Sequence, residues 1–426
     1  EWYQTGKYPY ENLIGGDGMQ IQIDKRNPNI VFTGFQFGNY YRIDRANNKR
    51  DYISPVQKKG EKPFRYNWQT PILLSSHNQE ILYMGSNFLH RSMNQGQTWT
   101  AISPDLTQGA KEGNVAFGTI AAISESPLQF GLLYTGSDDG LVHVSKDGGA
   151  TWNIISGNLP QNRWISRVVA SAHKKERVYV TLNGYRNDDF TTYVYMSDDF
   201  GQTWINIATN LPTSPVNVLV EDNVNEDVLY LGTDNGVYVS LNKGSLWNDF
   251  SNGIPNVAVH DLVIQKKAKD LVVGTHGRSI YKVNLEPVQQ LNEKVLAENL
   301  HVFEIKKIKK SKEWGNNWSS WAKAAEPKAE IWFYSDSDAE VVIQVENSLK
   351  EVVFSQKIKA VKGLNNLAYD LSIAKSKADN WKKKDKKLKL EESKNGKYYL
   401  PISINKISIQ KGKENVFTNL EIIESK

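Results

Sequence analysis

Asp17, Arg167, Glu221, Asp222, His276 and Arg278 are the side chains whose types and surroundings could do chemistry. Asp17 could be one of the two carboxylates that flank a glycosidic bond in its hydrolysis, about 5 to 10 Å apart, whereas Glu221, Asp222 and Arg167 are candidates to face a ligand. In Thr275-His276-Gly277-Arg278-Ser279 an imidazole and a guanidinium flank a glycine, a set that suits an anionic ligand. The glycine lets such a ligand approach the backbone closely. Arg167 offers a further cation, and Glu125 and Asp261 stand at comparable places in the pattern described below. Each has a plainer alternative. Asp17, in Gly15-Gly16-Asp17-Gly18, suits the cap of a glycine-rich turn, and the others suit hydrogen bonds to neighbouring parts of a fold. What decides is which elements hold them.

Those elements are announced by a recurring turn. Ser145, Asp147, Gly149, Thr151 and Trp152 read S-x-D-x-G-x-T-W, and Ser197, Asp199, Gly201, Thr203 and Trp204 repeat it in full. Ser92, Asn94, Gly96, Thr98 and Trp99 repeat it with Asn for Asp. Ser240, Asn242, Gly244 and Trp247 repeat it with Leu246 in the Thr slot, and Asp44 to Asn48 is a degenerate copy. The Asp or Asn accepts backbone N–H groups a few residues on, and the Gly takes a positive φ where the chain reverses. The Trp opens the next strand, and its ring is expected to fold over its own turn.

Between these turns lie short β-branched and aromatic runs at a period of roughly 42 to 51 residues, the signature of a propeller or solenoid. Leu82-Tyr83-Met84-Gly85, Leu133-Tyr134-Thr135-Gly136 and Leu229-Tyr230-Leu231-Gly232 are three of them, and a further strand precedes each unit. The expected fold is all-β: a β-propeller of about six four-stranded blades, or alternatively seven, over residues 1–285. The last unit lacks its tryptophan turn. Either the segment around Trp2 supplies its outer strand and closes the ring, or Trp2 belongs to a blade of an upstream domain. Residues 286–325 read as a helix-compatible linker and an exposed loop with Trp314, Trp318 and Trp321. These rings would stack on sugar, anchor an interface or cover a domain junction. Residues 326–426 read as an immunoglobulin- or fibronectin-like β-sandwich, with Lys375 to Lys394 as a mobile loop.

Composition narrows the classes. Cysteine is absent from the 426 residues, which excludes a disulfide framework and thiolate chemistry. No apolar run is long enough for a transmembrane helix. The net charge is only +5, and the lysine runs read as solvated loops, so no nucleic-acid partner is expected. No Asp-x-Asp-x-Asp loop with a downstream Glu accompanies Asp138-Asp139 or Asp188-Asp189, so neither metal nor cofactor is expected. The chain starts with Glu, as a processed or trimmed product would.

The tryptophan turns resemble the Asp-box, or BNR repeat, of sialidases, sortilin-type receptors and some glycoside hydrolases. Together with Asn67-Trp68-Gln69-Thr70-Pro71, Ser103-Pro104-Asp105-Leu106-Thr107 and Thr275-His276-Gly277-Arg278-Ser279, they resemble large secreted Bacteroidetes proteins labelled BNR-repeat glycosyl-hydrolase-like or sortilin-N-terminal-like. The resemblance implies a second propeller with its immunoglobulin-like tail, secreted, periplasmic or on the surface of a Gram-negative bacterium. It implies a protein or glycan ligand and a place in an outer-membrane assembly. The alternative it implies is a glycoside hydrolase in which Asp17 resembles the general acid of two-propeller xyloglucan-cleaving enzymes. There the Gly-Asp-x-Gly-Gly order differs and the partner carboxylate belongs to an upstream propeller. A sialidase would need three arginines on its substrate's carboxylate, which Arg167 and Arg278 do not supply. Fold resemblance alone does not establish chemistry.

Overall fold

A computed structural model describes residues 12–425 except 114, 318, 320 and 387. The chain divides into two compact units, Glu1–Val283 and Asn284–Lys426. The expectation placed on Trp2 lies outside the described residues.

Among the described residues the first unit is a succession of small antiparallel sheets in sequence order, five of four strands and a sixth of three. The third sheet is typical: Ile120–Glu125, Leu133–Ser137, Val142–Ser145 and Asn153–Ile154. The sixth comprises Val259–Gln265, Asp270–Thr275 and Ile280–Asn284. Six such blades make the β-propeller that the repeat predicts. The second strands of the second, third and fifth blades are buried on both faces, because a neighbouring blade covers each side. Apolar side chains from adjacent blades meet there, such as Ile155, Ile165, Val168 and Val180 between the third and fourth. Burying each such side chain contributes about 1.5–3 kcal/mol.

The tryptophan turns are built as their sequence implies, up to the tryptophan. In all four copies the Ser Oγ accepts the Gly N–H at 2.8 Å. The Asp or Asn Oδ1 accepts the backbone N–H four residues on, at 2.8 to 2.9 Å. The ring also reaches beyond its own turn. Trp152 Nε1 donates to the carbonyl of Ile102 in the preceding blade at 2.9 Å, and Trp204 and Trp247 donate to Ile155 and Ile207 at 2.7 Å. Trp99 makes the same bond to Ile53. The turn glycine rests on the same isoleucine: a Cβ on Gly96 would come within 2.7 Å of Ile53, and one on Gly244 within 2.7 Å of Ile207. The repeat is therefore a clamp between blades, and its glycine is required by φ and by this close approach.

Strand direction gives each blade two distinct ends. The clamps and the turns between first and second strands share one, here the clamp end. The turns between second and third strands and the starts of the first strands share the other, here the open end.

The second unit holds a three-stranded and a five-stranded sheet. Ile331 and Phe333 of one and Val341, Ile343, Val345, Ile407 and Ile409 of the other are fully buried in a common core, which makes a β-sandwich. Two expectations are corrected here. Lys375–Lys384 is an α-helix rather than part of a mobile loop, because Ala378 and Trp381, three residues apart on one face, are buried against the sandwich. Trp314 is not an exposed platform: it packs on the same core, with Tyr399 at 6.1 Å and Lys310 Nζ 4.4 Å over its ring. Trp321 is exposed, and Trp318 lies outside the described residues. Among the described residues no helix is long and apolar enough to cross a membrane.

Candidate functional site

The candidate residues separate between the two ends. Glu221 closes the first strand of the fifth blade at the clamp end. Its carboxylate accepts Ser171 Oγ at 2.8 Å, the Ala172 N–H at 2.7 Å and Tyr179 Oη at 3.1 Å, all from the fourth blade. Glu125 does the same one junction pair earlier, with Ser75 Oγ at 2.7 Å, the Ser76 N–H at 3.1 Å and Tyr83 Oη at 3.0 Å. Asp222 is fully buried; it accepts the Val224 and Asn225 N–H groups and Tyr230 Oη. Glu221 thus ties the fourth and fifth blades together, and Asp222 holds a turn of its own blade, so both carboxylates lie on protein donors. The cause is local: the strand end turns Glu125 and Glu221 toward donors of the adjacent blade, which replace the water they lose on burial.

At the open end Asp138, Asp139 and Asp189 likewise accept protein donors. Asp138 accepts the Thr119 N–H at 2.9 Å and Asn67 Nδ2 at 3.2 Å, and burial holds its carboxyl above its ordinary value. Asp189 accepts Arg163 Nε and Tyr193 Oη at 2.8 Å, and the Arg163 guanidinium keeps it well below the usual carboxylate range. Among the described residues no group of three or more metal-ligating side chains is placed to hold an ion.

Arg167, His276, Arg278 and Asp17 all belong to the open end. Arg167, on the first strand of the fourth blade, donates from Nη2 to Asp261 Oδ1 at 2.7 Å. Asp261 belongs to the sixth blade. A bridge that skips a blade runs along the channel wall, past the first strand of the fifth. Beside Asp261, the ring of His260 lies 5.2 Å from that of His276. On the intervening blade Asn217 Nδ2 donates to Asp234 Oδ1 at 2.8 Å, and Asn183 Nδ2 to Asn217 Oδ1 at 2.9 Å. Crowding at this mouth, and then the neighbouring His276, depress the His260 imidazole below its ordinary value. Arg278 is exposed two residues beyond His276, across a Gly277 at φ 71° whose Cβ position is open space. Asp17 is exposed too, in a turn whose backbone N–H donates to Gln36 Oε1 at 3.3 Å. Sequence reading singled out the His276 turn but missed its partner, because His260 is an isolated residue with no motif around it.

Aromatic side chains surround this end. Phe37 meets Trp68 edge-to-face at 5.0 Å, and Tyr185 meets Phe190 at 6.0 Å; all four are exposed. Arg186 lies 4.2 Å over the ring of Trp164.

The family profile of the DUF6242 beta propeller domain matches residues 69–281, half of the chain. No curated protein matches the sequence. The fold is similar to PorZ of Porphyromonas gingivalis, described as an essential bacterial surface component of the type-IX secretion system, at 10% identity and a TM-score of 0.46. That likeness covers 96% of this chain and 52% of PorZ. A GH74 enzyme of Niastella koreensis is similar at 16% identity and a TM-score of 0.47, over 96% of this chain and 66% of the enzyme. The extracellular domain of the hybrid two-component system BT3049 from B. thetaiotaomicron is similar at 10% identity and a TM-score of 0.44, over 95% of this chain and 50% of that one. The chain thus spans about half to two thirds of the length of these proteins. Likeness at this level does not carry an activity across.

Proposed function

Starting from a chain that belongs to the DUF6242 β-propeller family, we propose that it is a binding or scaffold module that docks a partner on the open end of its propeller. Its expected setting is outside the cytoplasm of a Gram-negative bacterium, in an outer-membrane assembly. The observation that supports docking is the gathering at one end of exposed aromatic pairs around a charged channel mouth. Aromatic and arginine side chains are the ones that anchor protein interfaces. The same observation favours protein over glycan as the ligand. A sugar stacks on an open ring face, whereas Trp164 carries Arg186 on its ring and the exposed pairs stand edge-to-face.

The test is capture of a partner from the native cell envelope by the full chain and by a Trp68→Ala, Tyr185→Ala variant. A partner retained by the first and lost by the second is the expected result; equal capture by both would refute docking on this end. A second reading, a glycoside hydrolase, is favoured only by the exposed Asp17 carboxylate at the same end. It needs a second carboxylate across a cleft, which an upstream propeller would supply. Release of reducing ends from polysaccharides, abolished by Asp17→Asn, would establish it.

A further inference from the structure

We propose that the channel mouth at the open end is an anion site, built by His260, His276 and Arg278, that takes a carboxylate of an acidic peptide segment. This rests on the docking reading and names the chemistry of its centre. The argument starts from charge. Arg167 is neutralised by Asp261 at 2.7 Å. Asp234 accepts an amide donor, Asn217, and acts on His260 of the next blade. The groups that face His260 are His276, Asp234, Arg167 and Asp261, two acids against one permanent cation before Arg278 is counted. Near neutral pH the mouth is therefore close to balance. Both imidazoles are exposed, and they lie 5.2 Å apart, close enough for one carboxylate to bridge their N–H groups. Protonating them turns both into charge-assisted donors, two residues from Arg278 in the case of His276.

The surroundings fit such a group entering from solvent. Gly277 leaves space at the turn, and the His276 N–H is already held by the Ala258 carbonyl, so the loop is fixed before a ligand arrives. The edge-to-face aromatic pairs at the same end then receive the apolar side chains that flank the acid. A carboxylate that binds protonated imidazoles raises their pKa, so binding takes up protons and strengthens as pH falls through the imidazole range.

The experiment uses the full chain and fluorescein-labelled hexaglutamate, read by anisotropy at fixed ionic strength. Hexagalacturonate and inorganic phosphate serve as competitors. Hexaglutamate is expected to bind on the order of tenfold tighter at pH 5.5 than at 7.5, as a shift of about one pKa unit requires. The His260→Gln, His276→Gln double variant is expected to abolish that dependence, and Arg278→Gln to weaken binding at both pH values. All three side chains are exposed, and their variants' unfolding midpoints provide a check on folding. Three results would each overturn the inference. They are pH-independent binding in the wild type, the same pH dependence in the double variant, and displacement of hexaglutamate by hexagalacturonate or phosphate at lower concentration than by unlabelled peptide. The two readings fail separately. If hexaglutamate does not bind while envelope capture still depends on Trp68 and Tyr185, only the anion site falls. If capture does not depend on them, the docking reading falls whatever the histidines do.

Discussion

At the clamp end Trp152, Trp204 and Trp247 each commit their indole N–H to a carbonyl of the preceding blade, and Glu125 and Glu221 accept donors from the blade before them. At the open end Trp68 is 48% exposed, Tyr185 and Phe190 face solvent, and Arg278 lies free of the core. The same residue types thus do different work at opposite ends of one set of strands. Where a carboxylate or an indole meets donors or acceptors of the next blade, it raises the cohesion of the ring. Where the turn projects past the strands, it stays available. Substitutions at the clamp end should therefore change stability, and substitutions at the open end should change binding.

The largest effect is expected from Trp247→Ala. Trp247 is only 3% exposed and holds the Ile207 carbonyl at 2.7 Å. Its removal should cost about 3–5 kcal/mol, read from the shift of a urea unfolding midpoint. A change below about 1 kcal/mol would mean that the clamp does not hold the blades. Gly201→Ala comes next. Its φ of 88° and its contact with Ile155 between the third and fourth blades both oppose a Cβ, at about 1–3 kcal/mol by the same measurement.

Acid sensitivity ranks third. Burial pushes the His90 and His143 imidazoles down to about 4. The unfolded chain binds these protons near the ordinary imidazole value, so stability is fully present above that value and is lost as pH falls toward 4. His90→Gln should flatten this part of the stability–pH curve, and an unchanged slope would contradict the assignment. A smaller effect is expected at the turn carboxylates. The Thr151 hydroxyl holds Asp147 down to about 2. Its contribution is present above the usual carboxylate range and is lost as pH falls through about 2. The Asn94 and Asn242 turns show that an amide serves the same geometry. Asp147→Asn should therefore change little at pH 7 and remove only the loss at low pH, as acid titration of the unfolding midpoint would show. Trp68→Ala should have the smallest effect on stability, within about 0.5 kcal/mol as for other surface positions, while it removes partner capture.

Much of this contrast can be read from the residues. The four tryptophan turns, the blade period and the strand runs follow from local spacing, because each hairpin is stabilised within a few residues of itself. The direction of the tryptophan was not legible. Its acceptor lies 50 residues earlier for Trp152, in a segment with no motif of its own. The Arg167–Asp261 bridge spans 94 residues and exists only because the chain curves around a channel. The helix at Lys375–Lys384 was hidden by its lysines, which dominate composition, while Ala378 and Trp381 carry the buried face. Of the candidate site, the His276–Arg278 turn was legible as a polar turn with a permissive glycine. Glu221 and Asp222 were not legible as framework, although Ser75, Glu125, Ser171 and Glu221 recur at the strand ends of successive blades.

Hydrogen–deuterium exchange of the full chain, free and bound to the partner captured from the native envelope, tests the division of labour most directly. Binding is predicted to slow exchange in the open-end turns at residues 36–38, 184–191 and 275–279, and to leave the clamp turns at 146–151, 198–203 and 241–246 unchanged. Slowing confined to the clamp turns, with the open-end turns unaffected, would contradict it.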